Sequence, residues 1–167
     1  MAAESSFDVV SQFDRQELVN AIDQASREIA TRYDLKNSGS SIELEPTAIK
    51  LASGSEMSLE AVRDLLLQKA VRRNLSPKVF DYGKVEEASR GTVRQTVTLR
   101  QGLNQDLARE VVKLVRDKQP KLKTQIQGDA VRVTGKNKDE LQAAIKVLRT
   151  AEQERNWPVP LQFVNYR

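Results

Sequence analysis

Residues 123–148, KTQIQGDAVRVTGKNKDELQAAIKVL, narrow the fold more than any other part of the chain, because the hydrophobic period changes once inside them. Ile126 stands between Gln125 and Gln127, and Val131 and Val133 flank Arg132. Two short segments thus alternate with the period of two that buries one face of a sheet. Gly128-Asp129 between them reads as a hairpin turn. Beyond Gly135 the spacing becomes helical, with Leu141, Ala144, Ile145 and Leu148 in register, and Asn137 with Glu140 three residues on forms a capping box. The same ββα order recurs at 41–66, SIELEPTAIKLASGSEMSLEAVRDLL, without a gap. Ile49 and Leu51 fall on Val131 and Val133, and Leu59 and Leu66 on Leu141 and Leu148, so strand, loop and helix stay in phase. The chain reads as a duplicated fold.

Each copy is flanked alike. A strand begins at Phe7, and Asp14 with Glu17 starts a helix whose buried stripe is Leu18, Ile22, Ala25 and Ile29. In the second half, TVRQTVTLR from Thr92 is a strand, and Asn104 caps a helix carrying Leu107, Val111 and Leu114 that ends before Pro120. Strands at 79–85 and 161–166 close the two halves. The expectation is an α+β protein of two ferredoxin-like βαββαβ sandwich domains, each an antiparallel sheet with two helices on one face. Residues 86–91, polar and without a period, set the expected boundary, giving domains 1–88 and 91–167. No turn chemistry ties the terminal strands at Phe7 and Leu161 to their own halves, so their exchange between domains stays open.

Composition bounds the chemistry. The 167 residues include no cysteine and no histidine, which removes disulfides, thiolate zinc sites and the usual acid/base side chain near neutral pH. A serine or threonine nucleophile would lack its imidazole base, no GxSxG or GxGxxG occurs, and the 23 acids show no metal-site spacing. The expectation is no enzyme, no metal and no cofactor. The net charge of +4 suits a polyanionic ligand. No apolar run approaches membrane-spanning length, which implies no membrane partner and a cytoplasmic protein.

FDVVS at Phe7, RYDLK at Arg32, LRQG at Leu99, QIQGDAVRVTGKNKDELQ from Gln125 and the closing PLQFVNYR together resemble the YajQ family. That resemblance implies tandem RNP-like domains and a non-enzymatic nucleotide-binding protein, a sensor or adaptor for a cyclic dinucleotide such as cyclic di-GMP. An RNA- or ribonucleoprotein-binding module is the alternative it suggests. It carries across no catalytic residue and names no protein partner.

The residues themselves offer ligand-binding candidates. If Ile126, Val131, Val133, Val97 and Leu99 face the helices, alternation puts Gln125, Gln127, Arg132, Thr96, Thr98 and Arg100 on the open face. Amides and guanidinium groups can pair with base edges and phosphates. A solvated sheet face is the competing reading. Residues 134–138 bring a glycine with Lys136 and Lys138 to a helix N-terminus able to hold a phosphate. Arg32, Lys36 and Arg167, beside the family-like segments, and Arg15 are candidates for a cleft. Asp8 reads as a strand-edge or capping residue, Asp129 as a turn residue, and Arg132→Glu is expected to leave folding almost intact. No RNP1 pattern occurs, and the central strands of 123–148 contain no aromatic residue on which a base could stack.

Overall fold

The computed structural model describes residues 3–167 and divides them into two compact units. The strands are β1 (Ser5–Val10), β2 (Ser41–Leu44), β3 (Ala48–Ser53), β4 (Phe80–Glu87), β5 (Val93–Leu99), β6 (Lys123–Gln127), β7 (Ala130–Gly135) and β8 (Gln162–Val164). The helices are α1 (Arg15–Thr31), α2 (Glu56–Arg72), α3 (Gln105–Lys118) and α4 (Lys138–Arg155). Among the described residues no helix is long and apolar enough to cross a membrane.

The helices start where the sequence places caps. Asp14 accepts from the amides of Gln16 and Glu17, Asn104 from that of Leu107 and Asn137 from that of Asp139. Ser55 starts α2 through a reciprocal capping box with Ser58, a signal the sequence reading passed over. The ββα repeat is present in both copies, as β2-β3-α2 and β6-β7-α4.

Strand pairing corrects the expected division at 88–91. The sheets run β6-β7-β1-β8 and β2-β3-β5-β4, every pairing antiparallel. β1 therefore lies in the sheet of the C-terminal repeat, and β5, expected to open the second domain, is a central strand of the first repeat's sheet. The compact units are residues 3–12 with 101–167, and residues 13–100. The discontinuous unit keeps βαββαβ order, as β1, α3, β6, β7, α4 and β8, interrupted after β1 by the whole of the other unit. The continuous unit is the same layout with its leading strand supplied last: β5 takes the central place that β1 holds in the other sheet. Of the two terminal strands, β1 exchanges, while β8 stays with its own repeat.

Burial explains why either strand serves. Phe7 and Val9 of β1 are fully buried opposite Val133 and Val131. Val93, Val97 and Leu99 fill the equivalent slot in the other core. The chain leaves and re-enters the discontinuous unit at one point, where the Gly102 amide donates to the Ser11 carbonyl at 2.6 Å. Gly102 adopts φ +84°, and a Cβ there would overlap the Asp129 carboxylate, so this re-entry needs glycine. Asp129 also accepts the Leu103 amide through its carbonyl at 2.9 Å.

Candidate functional site

In the discontinuous unit the helices cover one face of the sheet and leave the other uncovered. Phe7, Val9, Val131 and Val133 point into the core, so alternation turns Ser6, Asp8 and Val10 of β1, Ala130, Arg132 and Thr134 of β7, and Lys123, Gln125 and Gln127 of β6 to the open side. Register sets Gln125, Arg132, Asp8 and Val164 in one row across all four strands.

Asp8 anchors that row. It lies on a central strand, 7% exposed, and is neither an edge nor a capping residue. Arg132 Nε donates to Asp8 Oδ1 at 2.9 Å and Nη2 to Oδ2 at 3.3 Å, and Asn165 Nδ2 donates to Oδ2 at 2.9 Å. The Arg132 hydrogen bonds hold the carboxyl below the usual carboxylate range against the opposing push of burial; Asn165 and the nearby Arg167 charge add to the lowering. Arg132 is thus a paired residue, with its side chain 35% exposed. Its replacement by Glu would set a second carboxylate against a buried one, which overturns the expectation that folding would tolerate it.

Arg167 reaches this face because β8 continues past a kink. Asn165 adopts φ 57°, and residues beyond it bond again to β1, with Ser6 and Arg167 exchanging both backbone hydrogen bonds at 3.0 and 3.2 Å. Gln125, Gln127, Arg132 and Arg167, four of the sequence candidates, share one surface. At its Lys123 end lies a pocket of about 460 Å³ lined by Glu4, Lys121, Lys123, Thr134, Gly135, Lys136, Asn137 and Glu140. Lys136 belongs to it; Lys138, the first residue of α4, is exposed and outside the lining. Gly135 has a packing role, since a Cβ would run into Leu122. Asn137 already takes up one first-turn amide, so the lysines and not the helix terminus supply most of the positive charge; Glu4 and Glu140 offset part of it, with Glu4 Oε1 3.5 Å from Lys123 Nζ. The sequence reading missed Lys121 and Lys123, although alternation from Gln125 puts Lys123 on the same face.

Arg100, Arg32 and Lys36 belong to the continuous unit, so the open face of residues 123–133 does not include the β5 residues Thr96 and Thr98 or Arg100. Arg100 follows β5 and pairs with Asp81 at 3.4 Å. Arg32, at the end of α1, binds Asp34 at 2.7 Å, and Lys36 lies 5.5 Å from the centre of the Tyr33 ring. Arg15 donates to the carbonyls of Glu45 and Pro46 in the β2–β3 turn. The two central strands of each sheet present no aromatic side chain on the open face. Among the described residues no cluster of three or more acids could hold a metal ion.

A family model described as nucleotide-binding protein YajQ-like matches residues 5–167. Curated relatives match over the full length of both chains: proteins named nucleotide-binding protein from Chloroflexus aggregans at 56% identity, Chloroflexus aurantiacus at 57% and Trichodesmium erythraeum at 54%.

Proposed function

This chain belongs to the YajQ-like family, and from that premise we propose that it binds a nucleotide on the open sheet face of its discontinuous unit, without transforming it. The observation that carries the reading is the meeting of an uncovered polar face with a lysine-lined pocket at its edge. Lys121, Lys123 and Lys136 would hold phosphate oxygens as charge-assisted donors. Gln125 and Gln127 carry the amide donors and acceptors that pair with base edges. Arg132, fixed in plane by Asp8, offers a guanidinium surface on which a base can stack.

A small phosphorylated guest fits this arrangement better than an RNA strand. RNA modules of comparable layout stack bases on aromatic residues of the central strands, and here those positions hold Ser6, Asp8, Val10, Ala130, Arg132 and Thr134. A cyclic dinucleotide such as cyclic di-GMP is the leading ligand, consistent with a sensor or adaptor role.

Titration calorimetry of the folded chain against cyclic di-GMP, other cyclic dinucleotides, mononucleotides and a single-stranded RNA oligomer tests this. The expected result is one-to-one binding of a small nucleotide, amide shift changes on β6 and β7, and roughly tenfold weaker affinity in Lys123→Glu, the worth of one charge-assisted contact. Silence with every nucleotide would end the proposal. Steeply salt-dependent binding of the oligomer alone, over several nucleotides, would replace it with the RNA reading.

A further inference from the structure

The continuous unit holds a second cationic concavity on its helix layer. The facing surfaces of α1 and of the C-terminal end of α2 enclose a cleft of about 730 Å³ lined by Glu17, Gln24, Arg27, Glu28, Thr31, Lys69, Arg72, Arg73 and Asn74. Its two carboxylates are both engaged. Lys69 Nζ lies 3.2 Å from Glu28 Oε1, and Arg73 Nη1 lies 3.2 Å from Glu17 Oε2, with Arg73 Nε donating to Gln24 Oε1 at 3.4 Å. These contacts tie the helices together and fix two of the four cations in place. Among the described residues no ion pair takes up Arg27 or Arg72, and both are exposed.

Helix electrostatics account for only part of this. Lys69 and Arg72 fall in the last turn of α2, where cations offset the negative end of the dipole. Arg27 has no such role, because α1 carries no basic residue in its last turn. It stands across the cleft from α2 and adds to a charge excess that repels itself. Four cations against two carboxylates leave room for a dianion, and guanidinium forks match phosphate oxygens bidentately.

We propose that the α1–α2 cleft is a second anion site, distinct from the sheet face, that takes a ligand bearing two linked phosphates through Arg27 on one helix and Arg72 on the other. Lys69 and Arg73 add charge from the cleft walls, and the side-chain amides of Gln24 and Asn74 supply neutral donors. Because the two guanidiniums outside any ion pair come from different helices, a diphosphate, with more oxygens and a longer span than a single phosphate, is the better match to both.

The test uses inorganic pyrophosphate and inorganic phosphate with the full chain at low ionic strength, followed by amide shift mapping. Pyrophosphate is expected to shift the amides of Arg27, Thr31, Arg72 and Asn74 and to bind at least fivefold tighter than phosphate. The double variant Arg27→Ala/Arg72→Ala should lose tenfold or more in the affinity read at these amides, while Lys84→Ala, elsewhere on the same unit, should leave it unchanged. Equal affinity for phosphate and pyrophosphate, shifts confined to the sheet face, or a double variant that binds as well as the parent would each overturn the proposal. Both substituted residues are exposed, and an unchanged thermal transition of the double variant separates loss of binding from loss of fold.

Discussion

Cutting the chain at the positions its strand pairing dictates should yield a folded piece, whereas cutting where its sequence repeat suggests should not. Residues 13–100 contain all four strands of one sheet, both helices and every member of the core built on Leu18, Ile49, Leu65 and Val97. Residues 1–88 lack β5, which pairs with β3 along six positions and with β4 on its other side. They also carry β1, whose partners lie beyond the cut.

The loss can be sized from burial. β5 contributes Val93, Val97 and Leu99 to the core at 5%, 0% and 8% exposure. At roughly 1.5–3 kcal/mol for each buried side chain of this size, the three together are worth about 4.5–9 kcal/mol, before counting the ladder hydrogen bonds left unmade on both neighbours. Domains of ordinary size are stable by only about 5–15 kcal/mol in total. The 1–88 piece should therefore be unfolded or molten, and 13–100 should unfold cooperatively. Far-UV circular dichroism against urea, together with amide shift dispersion, reads the difference. A sigmoidal transition in 1–88 with a midpoint at or above that of 13–100 would refute the exchanged topology.

The chain's single tryptophan, Trp157, is buried in the discontinuous unit's core and reports on that unit by its fluorescence. Phe7→Ala should cost about 3–5 kcal/mol and lower the Trp157 urea midpoint, with amide exchange quickened first in residues 101–167; quickening confined to 13–100 would contradict the pairing of β1 with β7. Arg132→Glu should lower the same midpoint more than Arg132→Gln does, because it adds repulsion to the loss of the pair; equal stability of parent and Glu variant would show that Asp8 does not depend on Arg132. Asp8 and Glu110, the latter held by Arg155 and Trp157, both have carboxyls below their ordinary values, so between folded and unfolded pKa the unfolded chain binds more protons. Their stabilisation is complete above the unfolded carboxylate range, near pH 4, and is lost as pH falls through the lower folded values. The Trp157 midpoint should fall on acidification below about pH 5, and less so in Asp8→Asn; a flat profile from pH 5 to 3 would count against both networks.

The sequence carried the local structure and the duplication because both are written in short-range period. Ile49 and Leu51 alternate as Val131 and Val133 do, and Asp14, Asn104 and Asn137 mark helix starts whatever their tertiary surroundings. It could not carry the exchange of β1 and β5. FDVV and VRQTVTL are each β-prone with apolar alternate residues, so either fits the central slot of either sheet by pattern alone. What decides is which core receives Phe7, a matter of pairing across more than a hundred residues. The same limit hid the Asp8–Arg132 pair and split the candidate list, since placing Arg100 beside Gln125 assumed β5 and β6 share a sheet. Lys123 was legible in the alternation of KTQIQ, and only the curvature of the pocket shows its company.

The exchange has a consequence for the proposed site. Asp8 comes from before the inserted unit, Arg132 from after it, and Asn165 from the closing strand, so the central row of the face exists only when the two separated segments of the discontinuous unit have closed. Pairing Asp8 before that closure is unavailable, and a carboxylate buried without its donors is expensive. The row thus acts as a test of correct assembly, making closure with β1 missing or out of register costly. A ligand that grips Gln125, Arg132 and the neighbouring lysines binds the assembled state alone. By mass action it adds about 2.7 kcal/mol to that state's stability at a hundredfold excess over its dissociation constant. Recognition on this face and closure of the unit around β1 are therefore linked equilibria, and whatever weakens the central row, from acid to a mismatched strand, weakens binding with it.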